Sequence, residues 1–256
     1  MIPENQELKS RARETLLGHY SVIIWATLLT EVIGALLATF FDFSGNTFFS
    51  LMMASGATFI LSVLFIMLNA GLHYMHLQLT RQRSIRVTDV FFCFRQHADT
   101  SIRLALLISL VNLLVTVPFG VFRMLFGRAL APLWTYILYL ALYAAAAFTV
   151  NLLYSMAFFL FFDAPHQRAV ELMKESRLLT RGLRLRLAGL ILSFIGYMLL
   201  CVLSLGLALL WVSPYLGTTI AHFYLSLREA ADAEAEASCA PGLSDPEADP
   251  QDAPLD

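Results

Sequence analysis

Three groups of residues in this sequence place reactive or hydrogen-bonding side chains in unusual settings. In TLLTEVIGALL, residues 27–37, the carboxylate of Glu31 sits at the centre of an otherwise uncharged run from 20 to 41. Asn69, Asn112 and Asn151 put primary amides inside other long apolar runs, and His73 and His76 stand three residues apart near the end of one of them. A carboxylate there can carry a proton or bind substrate when it ionises, and can fix helix packing by hydrogen bonding to an amide when it stays neutral. Asn112 matches Glu31 best in depth, because each lies near the middle of its run. The histidine pair has the spacing of two metal ligands, but a third and fourth are missing nearby, so no metal site is expected. Contact with lipid headgroups is the simpler reading of both rings.

The runs that hold these residues define the chain. It is 58% hydrophobic and 14% charged, with a mean hydropathy of +0.69, and its apolar residues fall in long blocks, which is a membrane composition. About 20 apolar residues in a helix span a hydrocarbon core of about 30 Å. Besides 20–41, the stretches 51–79, 104–122, 129–162 and 187–227 contain no Lys, Arg, Asp or Glu. The last is 41 residues long, too long for one span. Within it LSLGLAL, residues 203–209, offers Ser204 and Gly206 for a tight turn, while Pro214 is absorbed as a kink. The expectation is an all-α, polytopic integral membrane protein with six transmembrane helices, at about 20–41, 52–78, 103–126, 133–162, 186–204 and 207–227. One long fifth helix breaking at Pro214 is the alternative. No small-residue cleavage site follows the first run, so a cleaved signal peptide is not expected.

Basic residues orient these spans. Lys9, Arg11 and Arg13 precede the first, Arg81, Arg83, Arg86, Arg95 and Arg103 lie between the second and third, and Arg168, Lys174, Arg177, Arg181, Arg184 and Arg186 lie between the fourth and fifth. The opposite side has only Arg123 and Arg128. By the positive-inside rule both termini are cytoplasmic, in a bacterial cell membrane. Each basic segment also reads as an amphipathic helix. Residues 1–19 form the first, with Leu8, Ala12 and Leu16 on one side; in the second Thr88 caps a turn that starts at Asp89; in the third Val170, Met173, Leu179 and Leu183 recur at helical spacing. The spans that follow begin near Tyr20, Arg103 and Arg186, 83 residues apart both times. The membrane domain, 20–228, therefore reads as three hairpins, each preceded by a cytoplasmic amphipathic helix.

The tail, 229–256, holds nine of the nineteen acidic residues, four prolines and no Lys or Arg, and is expected to be disordered after a turn or two of helix. Without it 17 basic residues face 10 acidic ones, a body suited to anionic inner-leaflet lipids, with Arg177, Arg181, Arg184 and Arg186 as candidate contacts. Cys93, Cys201 and Cys239 are isolated and suggest neither a disulfide framework nor zinc. Trp25, Trp134, Tyr136, Trp211 and Tyr215 read as interface anchors. No phosphate-binding glycine loop, H-E-x-x-H or G-x-S-x-G is present, so no enzyme and no cofactor is expected.

ELKSRARETLLGHY, YSMAFFLFFDAP and LSFIGYMLLCVLSLGLALLWVSPYLGTTIAHFYLSL together resemble the bacterial membrane family termed domain of unknown function 975, over nearly all of residues 7–227. Tyr197 stands where that family commonly has tryptophan. The family is distantly similar to the membrane domain fused to some glycerophosphodiester phosphodiesterases, which implies a role near the envelope or its lipids and supplies no catalytic residues. The expected function is thus a non-enzymatic accessory or scaffold in envelope or lipid homeostasis, with anionic lipid and a protein bound through the tail or amphipathic helices as partners, and no nucleic acid. The alternative is a small transporter or export component using a membrane-embedded site of Glu31, Asn69, Asn112 and Asn151.

Overall fold

The computed structural model describes residues 3–40, 48–126 and 132–239. Residues 41–47 and 127–131, at the connections expected between the first and second and between the third and fourth spans, and the part of the expected tail from 240 to 256 lie outside the described residues.

Helix follows helix throughout. α1 (Asn5–Leu16) precedes the pair α2 (Tyr20–Phe40) and α3 (Phe48–Thr80). A 3-10 turn (Val87–Phe91) runs into α4 (Phe92–Arg95), ahead of α5 (Ala98–Phe126), α6 (Leu133–Tyr154) and the short α7 (Ala157–Asp163). α8 (Ala169–Leu179) precedes α9 (Arg184–Leu192), α10 (Ile195–Leu203) and α11 (Leu209–Cys239). Five helical stretches among the described residues are long and apolar enough to cross a membrane: Tyr20–Leu37, Gly56–Thr80, Ala98–Arg123, Leu133–Asp163 and Arg184–Cys201. α11 has the length, but Ser213, Pro214, Thr218, Thr219, His222 and Ser226 interrupt its apolar residues, and it is not one of the five.

α10 ends and a turn leads to α11 at the Ser204 segment. Leu205 and Gly206 adopt φ of 52° and 90°, the Gly206 amide donates to the Cys201 carbonyl at 2.7 Å, and the Ser204 hydroxyl accepts from the Ala208 amide at 3.0 Å. A left-handed step of this kind closes a helix end by satisfying its last carbonyls. Pro214 is carried inside α11.

Two spans read as continuous in sequence are interrupted. α6 gives way to α7 at Ser155 and Met156, and α9 to α10 at Ser193 and Phe194. Breaks release backbone carbonyls that need new donors in an apolar setting. At the second break Lys9 of α1 supplies one, its Nζ donating to the Ser193 carbonyl at 3.2 Å while lying 4.5 Å from the centroid of the Phe194 ring. Partial burial there holds the Lys9 ammonium below its usual pKa.

The basic segments pack more deeply than surface helices would. Leu8, Ala12 and Leu16 are fully buried, with α1 lying against α11, so that stripe meets protein. On α8 the buried face is Ala169, Leu172, Met173 and Ser176, whereas Val170, expected on the apolar side, is half exposed. The polar Ser176 faces inward in its place, shifting the buried face by part of a turn. The turn between the second and third spans starts two residues earlier than expected: Arg86 is its cap, and the Asp89 carboxylate reaches back to accept the Arg86 amide at 2.8 Å, leaving Thr88 without the capping role. Helix also continues past residue 229 as far as Cys239, because EAADAEAEA is rich in the strongest helix formers.

α3 is the hub, touching α2, α5, α7, α11 and the 3-10 turn. Two glycines permit this. A Cβ on Gly71 would overlap the Val90 carbonyl, and one on Gly217 of α11 would overlap the His76 ring. Close backbone approach through small residues is the usual basis of helix packing in lipid. Gly71→Ala is expected to cost about 1–3 kcal/mol by overpacking, whereas Gly120→Ala, which meets open space, is expected to be neutral or stabilising by up to ~1 kcal/mol. Thermal unfolding of both variants in detergent checks the contrast.

Candidate functional site

Asn69, Asn112 and Asn151 come from three successive long helices, α3, α5 and α6, and line one cavity of about 250 Å³. His73, Tyr154 and Ser155 share the lining, and Phe65, Ile66, Ile108, Val150 and Phe158 form its apolar walls. The cavity lies beside the α6–α7 break, which puts Tyr154 and Ser155 where a straight helix would continue.

The amides are oriented by their own helices. Asn69 Nδ2 donates to the Phe65 carbonyl at 2.9 Å and Asn151 Nδ2 to the Ala147 carbonyl at 2.8 Å. A carbonyl can only accept, so the contacting atom is the NH2 in each case, and each Oδ1 is left to accept from a ligand. The Asn112 side chain makes no hydrogen bond among the described residues. His73 packs its ring 5.3 Å from that of Phe159, and its Nδ1 is buried without a partner. A buried polar atom without a hydrogen bond is costly and marks a place where something else completes the structure. The lining therefore offers several acceptors, a few donors and no charged side chain.

His76 is 4% exposed, and its Nδ1 pairs with the Thr218 hydroxyl at 3.1 Å. The two histidines thus turn inward, one to the cavity and one to α11, and not to headgroups as their position near a helix end suggested. Glu31 is exposed on α2, at the edge of the face that buries Ile23, Ala26, Thr27 and Thr30. It is not among the residues lining the cavity. Of the four arginines expected to meet lipid, Arg177 and Arg181 are exposed. Arg184 donates to the Arg177 carbonyl at 3.1 Å and Arg186 to that of Pro3.

A second polar centre went unnoticed in the sequence. Asp163, at the end of α7, accepts from Arg81 Nη2 at 2.6 Å and from the Tyr224 hydroxyl at 2.6 Å, so one carboxylate joins the ends of α3 and α7 to the middle of α11. Tyr224 is fully buried and stacks on Phe159 with centroids 5.2 Å apart. The available signal was register: Arg81 and Asp163 are 82 residues apart, within one of the 83-residue spacing between the expected span starts. Further out, Arg228 meets Glu175 at 3.5 Å and Asp232 at 3.8 Å.

Cys93 is fully buried and its thiol is pushed up to about 12 by burial, with the Ser101 hydroxyl opposing the shift. It is therefore a packed thiol and not a nucleophile at neutral pH. Among the described residues no three His, Cys, Asp or Glu side chains converge as metal ligands would.

The profile of a family described as protein of unknown function, DUF975, matches residues 1–231. The chain belongs to the DUF975 family. No curated protein and no solved structure matches it. In this DUF975 protein the matched region takes in α1, both polar centres and the apolar part of α11.

The two carboxylates should respond differently to neutralisation. Asp163→Asn is expected to destabilise by about 1–3 kcal/mol, since it weakens two charge-assisted hydrogen bonds and leaves Arg81 short of a partner. Glu31→Gln, which removes no hydrogen bond or ion pair among the described residues, should stay within ~0.5 kcal/mol of the parent. Unfolding of both in one detergent, with Tyr224→Phe to complete a cycle with Asp163→Asn, measures the difference.

Proposed function

We propose that this protein is a non-enzymatic accessory of envelope or lipid homeostasis in the bacterial cytoplasmic membrane, and that it holds a small neutral polar group, such as a hydroxyl-bearing lipid headgroup, in the amide cavity. In this reading α11 is a sixth span and α10–α11 a third hairpin. α1, the α4 segment and α8 then lie at the cytoplasmic face with both termini. The basic residues gathered before α2, α5 and α9 support that orientation.

The observation that carries the reading is the convergence of Asn69, Asn112 and Asn151 with the unpartnered His73 on one cavity. Amides placed in the bilayer raise the cost of insertion and repay it only by bonding to something. Here two of the three satisfy their NH2 groups locally and keep acceptor oxygens free, an arrangement that suits a ligand with hydroxyl or amide donors. The absence of a carboxylate, lysine or arginine from the lining favours a neutral group. The alternative, a transporter working through Glu31, draws no support from the cavity, since Glu31 is not in its lining.

Mass spectrometry of the protein released intact from native membranes tests the reading. The parent should retain a neutral-headed lipid or polar solute, and Asn112→Leu combined with Asn151→Leu should lower its occupancy about tenfold, the loss expected for one or two hydrogen bonds. Equal retention by the variant would reject the cavity as the binding site.

A further inference from the structure

Outside the amide cavity, a groove of about 480 Å³ runs between the start of α5 and the start of α8. Its polar end is formed by Thr100, Arg103, His166 and Arg168, and its other walls include Leu106 and Val170. The guanidinium groups of Arg103 and Arg168 make no ion pair or hydrogen bond among the described residues, and both residues are exposed. The fold brings them together from separate helices, and the one carboxylate it sets on Arg168, that of Glu171, accepts from the backbone amide at 3.3 Å and not from the guanidinium. From this head the groove continues along α5 onto an outward apolar face, where Leu106 is 40% and Leu110 47% exposed.

We infer that the groove is a binding site for one anionic phospholipid, with its phosphate between Arg103 and Arg168 and an acyl chain laid along Leu106 toward Leu110. Two guanidiniums present forked donors that match phosphate oxygens, and the Thr100 hydroxyl adds a neutral donor. Continuity of the charged end with an outward apolar strip selects a lipid over free phosphate, because a soluble anion would gain nothing from the strip. The site also relocates the lipid contact. Arg184 and Arg186 are engaged with backbone carbonyls, whereas the Arg103 and Arg168 pair is free to bind. The inference rests on α5 crossing the bilayer with its start at the cytoplasmic face, as the proposed function has it.

The test uses the full chain in nanodiscs that mix a zwitterionic lipid with phosphatidylglycerol, followed by mass spectrometry of the released complexes. Arg103→Gln with Arg168→Gln should reduce retained phosphatidylglycerol about thirtyfold, the loss expected for two basic residues at an anionic surface. Arg177→Gln with Arg181→Gln should leave it within about twofold. Val170→Asp, which sets a carboxylate in the groove at a half-exposed position, should act like the first pair and guards against a folding artefact in it. Undiminished retention in both groove variants overturns the site, as does a loss confined to the Arg177 and Arg181 pair. Displacement of the lipid by millimolar inorganic phosphate would also overturn it, in favour of a soluble anion. None of these variants touches the amide cavity, so failure here leaves the headgroup reading of that cavity standing, and failure there leaves this one.

Discussion

One carboxylate fixes how the helices meet at their basic end. Asp163 comes at the end of an apolar stretch where a charge without partners would be poorly solvated, and it is held by a guanidinium from α3 and a phenol from α11. With side chains only 28% and 15% exposed, Arg81 and Asp163 are more than a surface pair, for which solvent would erase most of the benefit. Each partner arrives from a different helix pair, so α3, α7 and α11 cannot slide independently without leaving a charge unmet. The fully buried Tyr224 supplies packing as well as a proton donor, stacking on Phe159 while its hydroxyl reaches the carboxylate.

Deeper in the bundle the constraint becomes steric. Gly71 admits the Val90 carbonyl and Gly217 admits the His76 ring, so α3 is pinned on two sides by contacts that tolerate no side chain. With α3 pinned, Asn69 and His73 have a fixed place relative to α5 and α6, and the cavity follows. Its polar character is the unusual element. Several other polar groups in the long helices are met by their neighbours, as Thr218 meets His76 or the Ala26 carbonyl meets Thr30, while this space collects several acceptors and a buried ring nitrogen that no other described residue satisfies.

Much of this was legible in the residues. Charge-free runs and the placement of arginines indicated long apolar helices joined by basic segments, and the Ser204–Gly206 turn followed from residue type, because few other sequences close a helix end so cheaply in space. Asn69, Asn112 and Asn151 stood out as polar side chains in apolar runs. Their sharing one cavity depends on helix rotation, which spacing within each run does not specify. The same limit separates Glu31 from them: depth along the helix suggested a partner in Asn112, but the carboxylate points off the exposed face of α2. Breaks at Ser155 and Ser193 carried no strong signal, since serine is neutral in helices that can bond its hydroxyl to a preceding carbonyl. Asp163 was overlooked because, at a run's edge, a lone carboxylate looks like ordinary interfacial charge until Arg81 and Tyr224 are seen to converge on it.

A density map of the protein in nanodiscs made from its native lipids tests the central claim, that three amides and His73 form a site completed by something other than the chain. The account predicts density in the cavity within hydrogen-bonding distance of Asn112 and of at least one other of these four side chains. A cavity closed by the Phe65 and Phe158 rings, or one with Asn112 and Asn151 bonded to each other and nothing between them, would contradict it.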